Sequence, residues 1–291
     1  MTGGRPARST VLLTGASGLL GTWLRRTVPA GIDLVGLVHR RTLDGNRRVE
    51  ADLRDFAATR AAIDRVHPDL VIHAAYRTDE VSIVDATRHV VDAAGAVDAD
   101  VVFISTDAVF SGDGWPRAED AAPDPVHDYG RWKARGEALV TVLGAGSAIV
   151  RLPLLVSLHP DDHVTARIRH GAASGTATVW FDDEIRQPAM AHEVAEALWR
   201  IVRLDRSERT GAWHLPGPER LSRYEIAQRV AGALGLDAAT IERGATPASM
   251  VRPRVLDLAA ARAVEAVGWS PSPILTTELP DPSADPVGSR P

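Results

Sequence analysis

The sequence predicts an α/β fold: a doubly wound parallel sheet with a smaller C-terminal lobe. Three observations support it. Short β-branched and aliphatic runs alternate with amphipathic stretches through the first half, the order that builds a parallel sheet covered by helices on both faces. The first such run leads directly into a Gly-x-x-Gly-x-x-Gly turn, Gly15 to Gly21. Beyond about residue 153 the alternation becomes less regular, as an appended lobe requires.

Size and composition bound the function. With 291 residues, 45% hydrophobic and 24% charged, the chain can bury a full core as one large domain or one domain plus a lobe. A net charge of -5 without a long basic run gives no reason to expect a nucleic-acid partner. No apolar run approaches the roughly 18 residues of a membrane span, so no membrane partner is expected. The absence of cysteine removes disulfide and thiolate chemistry and suits a cytoplasmic location. Residues 1–8 and the proline-rich 271–291 are expected to be flexible tails.

The first strand is Thr10–Thr14, and the glycine turn follows it at once. Glycines at this spacing allow a tight turn, close approach of backbone to a pyrophosphate, and close packing of helix on strand, while the helix N-terminus attracts the anion. Gly15, Ser17, Gly18, Leu19, Leu20 and Gly21 are therefore candidate cofactor contacts. The second strand, Asp33–Val38, ends in His39-Arg40-Arg41. A carboxylate there would bond the adenosine ribose of NAD; guanidiniums suit a 2'-phosphate instead, so NADP(H) is preferred over NAD(H). Asp52 and Leu53 are candidates for an adenine contact. A helix is expected over Asp55–Val66, broken by His67-Pro68-Asp69. Leu70–Ala75 reads as a buried strand whose small end, Ala74 and Ala75 before Tyr76, lets a cofactor pass. His73 reads as a structural residue rather than an acid, base or metal ligand.

A long helix is expected over Val81–Ala96 and a buried strand over Val101–Ile104. Ser105-Thr106-Asp107-Ala108-Val109-Phe110 stands at that strand's carboxyl end, where open α/β sheets bind ligands. A Gly-, Pro- and acid-rich loop, Ser111 to Asp124, leads to a helix from Asp128 to about Leu143, and Ala148–Leu152 is the next strand. That helix holds Tyr129 and Lys133. Residues four apart share one helix face, so an ammonium can sit beside a phenol and favour its ionised form. Lys133 is the only lysine in the chain. A guanidinium is wide and flat whereas an ammonium is a compact point charge, so a chain that otherwise uses arginine implies that this site needs an ammonium.

In the second half, helices are expected over Asp161–His170, Ala191–Leu204, from the N-cap Ser222 to Leu234 with Glu225 completing a capping box, and over Ala259–Val267 up to Gly268. Ala177–Phe181 and Ala212–His214 read as strands. Trp180, Trp199 and Trp213 read as packing residues.

The glycine turn, the Ser105-Thr106-Asp107 strand end and the Tyr129/Lys133 pair, together with His67–Ala75, Gly136-Glu137 and Arg252-Pro253, resemble the extended short-chain dehydrogenase/reductases, and among them the dTDP-4-dehydrorhamnose reductase-like, sugar nucleotide-binding branch. The resemblance spans about Thr10 to Gly268 and implies a Rossmann-type core. It implies that Thr106 bonds a substrate carbonyl, that Tyr129 donates a proton to it as hydride arrives from the nicotinamide, and that Lys133 binds the nicotinamide ribose and lowers the phenol's pKa. Ser105 is the alternative to Thr106 if the register slips by one. Val109, Phe110, Arg186 and Arg252 are candidate substrate contacts. The implied partner is a small-molecule nucleotide sugar, the implied assembly a monomer or homodimer.

The chain departs from that branch at Ala108, where tyrosine is usual, and at Tyr76-Arg77-Thr78-Asp79, where small residues are. Asp107-Ala108 lacks the Asp-Glu pair of related dehydratases, which argues against dehydration. The expected function is an NADPH-dependent reductase of a 4-keto nucleotide sugar. The alternatives are a nucleotide-sugar epimerase, or a non-catalytic NADP-binding regulatory protein like the regulatory subunit of methionine adenosyltransferase in this branch. The expected boundaries are a dinucleotide-binding core of 9–152, completed by 189–204, and a substrate-binding lobe of 153–188 and 205–270.

Overall fold

The computed structural model describes residues 9–40, 43, 47–237 and 240–275. The chain opens with β1 (Ser9–Thr14), α1 (Leu19–Arg26), β2 (Ile32–Val38), β3 (Arg47–Glu50), α2 (Phe56–Val66) and β4 (Leu70–His73). It continues with α3 (Ala86–Gly95), β5 (Asp100–Thr106), α4 (Asp128–Thr141) and β6 (Ala148–Leu152). After β7 (Leu155–Val156) come α5 (His163–Ser174), β8 (Thr178–Phe181), β9 (Ile185–Arg186), β10 (Ala189–Met190) and α6 (Ala191–Val202). The last elements are α7 (Arg206–Arg209), β11 (Gly211–His214), β12 (Leu221–Ser222), α8 (Arg223–Ala233), β13 (Ile241–Gly244) and α9 (Ala261–Val267).

Seven strands form one sheet in the order β11-β6-β5-β4-β1-β2-β3, and every neighbouring pair is parallel. This is a Rossmann-type doubly wound α/β sheet. The strand order reverses between β1 and β4, the switch point at which such sheets bind ligands beyond their carboxyl ends. Successive side chains of a strand face opposite sides, and β1 shows it: Val11 and Leu13 join one core, Leu12 the other. On the first face Trp23 of α1, Leu198 and Trp199 of α6, Trp213 and Ala263 of α9 pack together. On the second, Ile63 of α2, Val90 of α3 and Val140 of α4 do so. A separate core holds the lobe, where Val164, Ile168, Trp180, Ile226 and Val230 meet. Trp180, Trp199 and Trp213 are thus packing residues. The lobe's short strands pair as β10 with β7, β12 with β9 and β13 with β8.

Side chains set the helix ends. Asp55 caps α2 by accepting the Ala58 N–H, and Asp162 caps α5 through the Val164 and Thr165 N–H groups. Ser222 and Glu225 form the expected capping box on α8. Gly268, in the left-handed region, ends α9.

Two expectations change. The long helix begins with a wide π-helical turn, Val81–Asp85, where the Thr87 hydroxyl donates to the Ile83 carbonyl at 2.5 Å and so competes with regular helical bonding. The first residues of the tail expected to be loose from 271 are packed instead: the Ser272 N–H donates to Glu193, and Ile274 is buried in the lobe core. The remainder of both expected tails lies outside the described residues. Among the described residues no helix is long and apolar enough to cross a membrane.

Candidate active site

A cleft of about 1000 Å3 runs along the carboxyl edge of the sheet to the lobe. One end is the glycine turn. Gly15 has a φ of +68°, and a Cβ there would lie 2.8 Å from the Ala75 backbone nitrogen. A Cβ on Gly21 would lie 2.2 Å from the Gly15 carbonyl oxygen, so this position admits no side chain without moving α1 off β1. Gly18 caps α1 without a side-chain hydrogen bond, leaving the first-turn amides directed outward with the positive end of the helix dipole. Gly15, Ser17, Gly18, Leu19, Leu20 and Gly21 all line the cleft.

His39, Asp52 and Leu53 line the same end. His39 lies 3.7 Å from Asp52. The Arg54 side chain bonds the Asp52 carboxylate and holds its pKa well below the usual carboxylate range. Arg40 is exposed just beyond β2 and is not among the lining residues; Arg41 lies outside the described residues. Ala74, Ala75 and Tyr76 form the adjoining wall. The Ala74 and Ala75 N–H groups both donate to the Thr14 hydroxyl at 3.1 Å. That hydroxyl therefore donates to His73 Nδ1, 2.8 Å away, which places the His73 proton on Nε2, toward Thr87 at 3.2 Å. Burial pushes the His73 pKa down to about 3, so it is a neutral structural residue, as the sequence implied.

The structure brings Thr106, Tyr129 and Lys133 together in the middle of the cleft. Thr106, at the end of β5, donates to Asp107 at 3.0 Å and accepts from the Ala108 N–H at 3.2 Å. The Ser105 hydroxyl is instead committed to Glu137 at 2.5 Å, and Glu137 also accepts from Arg151 at 2.8 Å. His127 caps α4, its Nδ1 accepting the Gly130 N–H at 2.9 Å. Lys133 is only 3% exposed. It donates to the Ile104 carbonyl at 2.8 Å and lies 4.8 Å from the rings of both Tyr76 and Phe103. Burial lowers its pKa to about 7, and the Glu137 charge opposes the shift.

The Tyr129 phenol departs from expectation. Burial first, then Tyr76 and Asp107, push its pKa well above the ordinary phenol value, while its hydrogen bond with Thr106 pulls the other way. Lys133 does not depress it, because the ammonium is directed at the Ile104 carbonyl.

At the lobe end, Arg186 and Arg252 line the cleft, joined by Arg223, His163, His127 and Asp107. Glu184, 0% exposed, binds Arg186 at 3.2 Å and Arg252 at 2.9 Å. Arg186 also donates to the Ile185, Pro253 and Arg254 carbonyls, so it ties β9 to the 253–254 segment. The Arg223 guanidinium lies 5.9 Å from the Trp180 ring, and burial lowers its pKa to about 10. Val109 and Phe110 are not in the cleft. They turn inward to pack with Leu256 and Leu258, because the short 3-10 turn over Asp107–Val109 points them under the loop.

Sequence reasoning missed Asp107, His127, His163, Glu184 and Arg223. Arg223 was accessible in principle, since it directly follows the N-cap Ser222 and the first turn of a helix is a common place for ligand contacts. Glu184 sits in Asp182-Asp183-Glu184, which reads as a solvated acidic turn.

Residues 9–277 match the family model described as RmlD substrate binding domain. The chain is 30% identical over 247 residues to methionine adenosyltransferase 2 subunit beta of Pongo abelii, covering 78% of this chain and 72% of that one. It is 29% identical to the dTDP-4-keto-6-deoxy-D-glucose reductase of Streptomyces niveus, covering 78% and 79%. The crystal structure of dTDP-4-dehydrorhamnose reductase from Bacillus anthracis in complex with NADP shares the fold, with a TM-score of 0.76 at 21% identity over 92% of this chain and 94% of that one. The chain belongs to the RmlD substrate-binding-domain family.

Proposed function

We propose that this protein is an NADPH-dependent reductase of a 4-keto nucleotide sugar. The observation that carries the reading is the meeting of Thr106, Tyr129 and Lys133 midway between an anion-binding glycine turn and an arginine-lined lobe.

The residues present fit a nicotinamide dinucleotide. The turn closed by Gly15 and Gly21 leaves backbone amides for a diphosphate. His39, Asp52 and Leu53 line the end where the adenosine would lie, with Arg40 exposed just beyond it, and Ala74, Ala75, Tyr76 and Lys133 line the part where the nicotinamide riboside would. When bound in reduced form, that cofactor supplies hydride to a carbonyl carbon. Around the carbonyl, the Thr106 hydroxyl would turn its one proton from Asp107 to the oxygen, and the Tyr129 phenol would give it a proton. A phenol whose pKa is raised stays protonated at neutral pH, so the proton is in place before reaction. Lys133 would bond the ribose hydroxyls. Arg223 and Arg252 would face the sugar-nucleotide diphosphate, where a bidentate guanidinium contact is strong. The Streptomyces niveus relative, a keto-deoxysugar reductase by name, supports this substrate class.

A second reading is a dinucleotide-binding subunit without turnover, favoured by the 30% identity to methionine adenosyltransferase 2 subunit beta. One assay separates the two. Purified protein with a dTDP-4-keto-6-deoxy sugar should consume NADPH one for one, and Tyr129→Phe should lower kcat by about 100-fold or more, the range of general acid catalysis. NADPH bound but never consumed would select the subunit reading.

A further inference from the structure

Lys133 has a buried carboxylate beside it on α4 that no step of the proposed reduction uses. Glu137 follows it by four residues, which puts the two side chains on one helix face a turn apart, and each is only 3% exposed. They meet consecutive residues of β5. The Lys133 ammonium donates to the Ile104 carbonyl at 2.8 Å, and the Glu137 carboxylate accepts from the Ser105 hydroxyl at 2.5 Å. From β6, Arg151 grips both carboxylate oxygens, with Nε 3.0 Å from Oε1 and Nη2 2.8 Å from Oε2. Its remaining nitrogen donates to the Glu119 and Ala121 carbonyls and to His214 Nε2 on β11. His214 is neutral, because burial lowers its pKa to about 4. Among the described residues, the other groups around Lys133 bring no matching charge. His73 on β4 is neutral, with a pKa lowered by burial to about 3, and Tyr76 and Phe103 present only their rings. Asp107, past the end of β5, faces Arg186. On the helices, Asp85 pairs with Arg88, Asp128 with Arg131 and Glu80 with Arg135.

We propose that Glu137 is a positioning residue that holds Lys133 in its ammonium form, so that two of its donors remain for the hydroxyls of a bound ribose. A count of donors makes the charge matter. An ammonium has three donors and no acceptor; one goes to the Ile104 carbonyl, which leaves two for a cis-diol. A neutral amine has two and leaves one. Burial works against the ammonium and lowers the Lys133 pKa to about 7, while the Glu137 charge opposes that shift. Without Glu137 the lysine would be mostly neutral at neutral pH. The inference rests on the dinucleotide part of the proposed function and is independent of which carbonyl is reduced.

Lys133 is the only lysine in the chain, so protein carrying a carbon-13 label at the lysine ε position gives one lysine resonance, and its shift follows the ionisation of this residue alone. In the unsubstituted protein it should titrate at a pH of about 7. Glu137→Gln keeps the size of the side chain and an acceptor for Ser105 but removes the charge. It should lower the midpoint by about one pH unit or more, the effect of an adjacent opposite charge. The Kd for NADPH, read by fluorescence titration, should then rise about fivefold at pH 7 and only about twofold at pH 6, following the charged fraction of Lys133. A merely structural role would weaken binding by the same factor at every pH; that result, or an unmoved lysine midpoint, overturns the proposal. Because Glu137→Gln leaves Arg151 buried and unpaired, it can cost the fold. Glu137→Gln/Arg151→Met removes both charges and decides the matter in that event: the midpoint should again fall, by less because a cation has gone too, and an unmoved midpoint overturns the proposal. Failure of the unsubstituted protein to bind NADPH would remove the dinucleotide reading and the ribose role with it, whereas the lysine titration alone shows whether Glu137 sets the charge.

Discussion

The helix that carries Tyr129 and Lys133 is capped by a histidine, and this makes the cap titratable. The His127 Nδ1 lone pair accepts the Gly130 N–H, which neutral imidazole can do and imidazolium cannot. A proton on that nitrogen would also place a cation at the positive end of the helix. Burial first, with Arg252, Arg131 and Arg186 adding to it, lowers the His127 pKa in the folded chain. The folded state therefore binds fewer protons than the unfolded state, whose histidine titrates near ~6.5. The cap's stabilisation is complete above that pH and is lost as pH falls below it. Asparagine caps equally well and does not titrate. His127→Asn should thus match the unsubstituted protein at pH 8 and exceed it increasingly below about pH 6.5, by up to about 1 kcal/mol, the usual worth of a cap. Denaturant unfolding at a series of pH values measures this. His73 and His214, whose pKa values burial lowers to about 3 and about 4, add acid sensitivity to both proteins alike and cancel in the difference. A constant gap across pH would refute the titratable cap.

At the scale of elements, the lobe depends on caps and pairings more than on long helices and strands. Asp162 is the clearest case. Buried at the start of α5, its carboxylate accepts from the N–H groups of Ser157, Val164 and Thr165 and from the Thr165 hydroxyl. Removing it leaves several buried donors without a partner, so Asp162→Ala should destabilise the protein by about 2–3 kcal/mol, above an ordinary cap. Denaturant unfolding would show it, and a loss under 0.5 kcal/mol, roughly that of a plain surface change, would mean the lobe does not need this cap. The same contrast explains what the sequence could disclose. Runs such as Val11-Leu12-Leu13 and Val101-Val102-Phe103 are buried on both faces of the sheet, so their composition alone announces central parallel strands. Ser222 and Glu225 likewise carry their helix start in two side chains. The two-residue strands β9 and β12 carry no comparable period, because their pairing is fixed by contacts 35 and 37 residues apart in the chain (Arg186 with Leu221, Ile185 with Ser222). Val109 and Phe110 failed for a related reason. They follow Thr106 closely enough to share its strand end, but a single turn of helix decides which of these side chains meets the cleft and which meets Leu256.

For the whole molecule, the cleft joins two bodies of packing that a ligand can hold together. The glycine turn and the β4 end belong to the sheet, whereas Arg186 and Arg223 belong to the lobe, and Glu184 links Arg186 to Arg252 across it. A ligand that binds only the folded chain stabilises it by mass action, about 2.7 kcal/mol at a concentration 100 times its Kd. The proposed cofactor preference is therefore measurable without a substrate. NADPH and NADH, each titrated against the thermal midpoint, should differ, with NADPH producing a given upward shift at a lower concentration. The expected ratio is roughly 10-fold, the worth of one charge-assisted hydrogen bond of about 1.5 kcal/mol. Arg40→Ala/Arg41→Ala should bring the two curves together by weakening NADPH while leaving NADH unchanged. Arg40 is exposed and outside the cleft lining, so reaching a 2'-phosphate requires its long side chain to swing across the end of β2. Were the double variant to keep the full difference, the preference for the phosphate would have to come from His39 or from the Asp52–Arg54 pair, which already stand in the wall of the cleft.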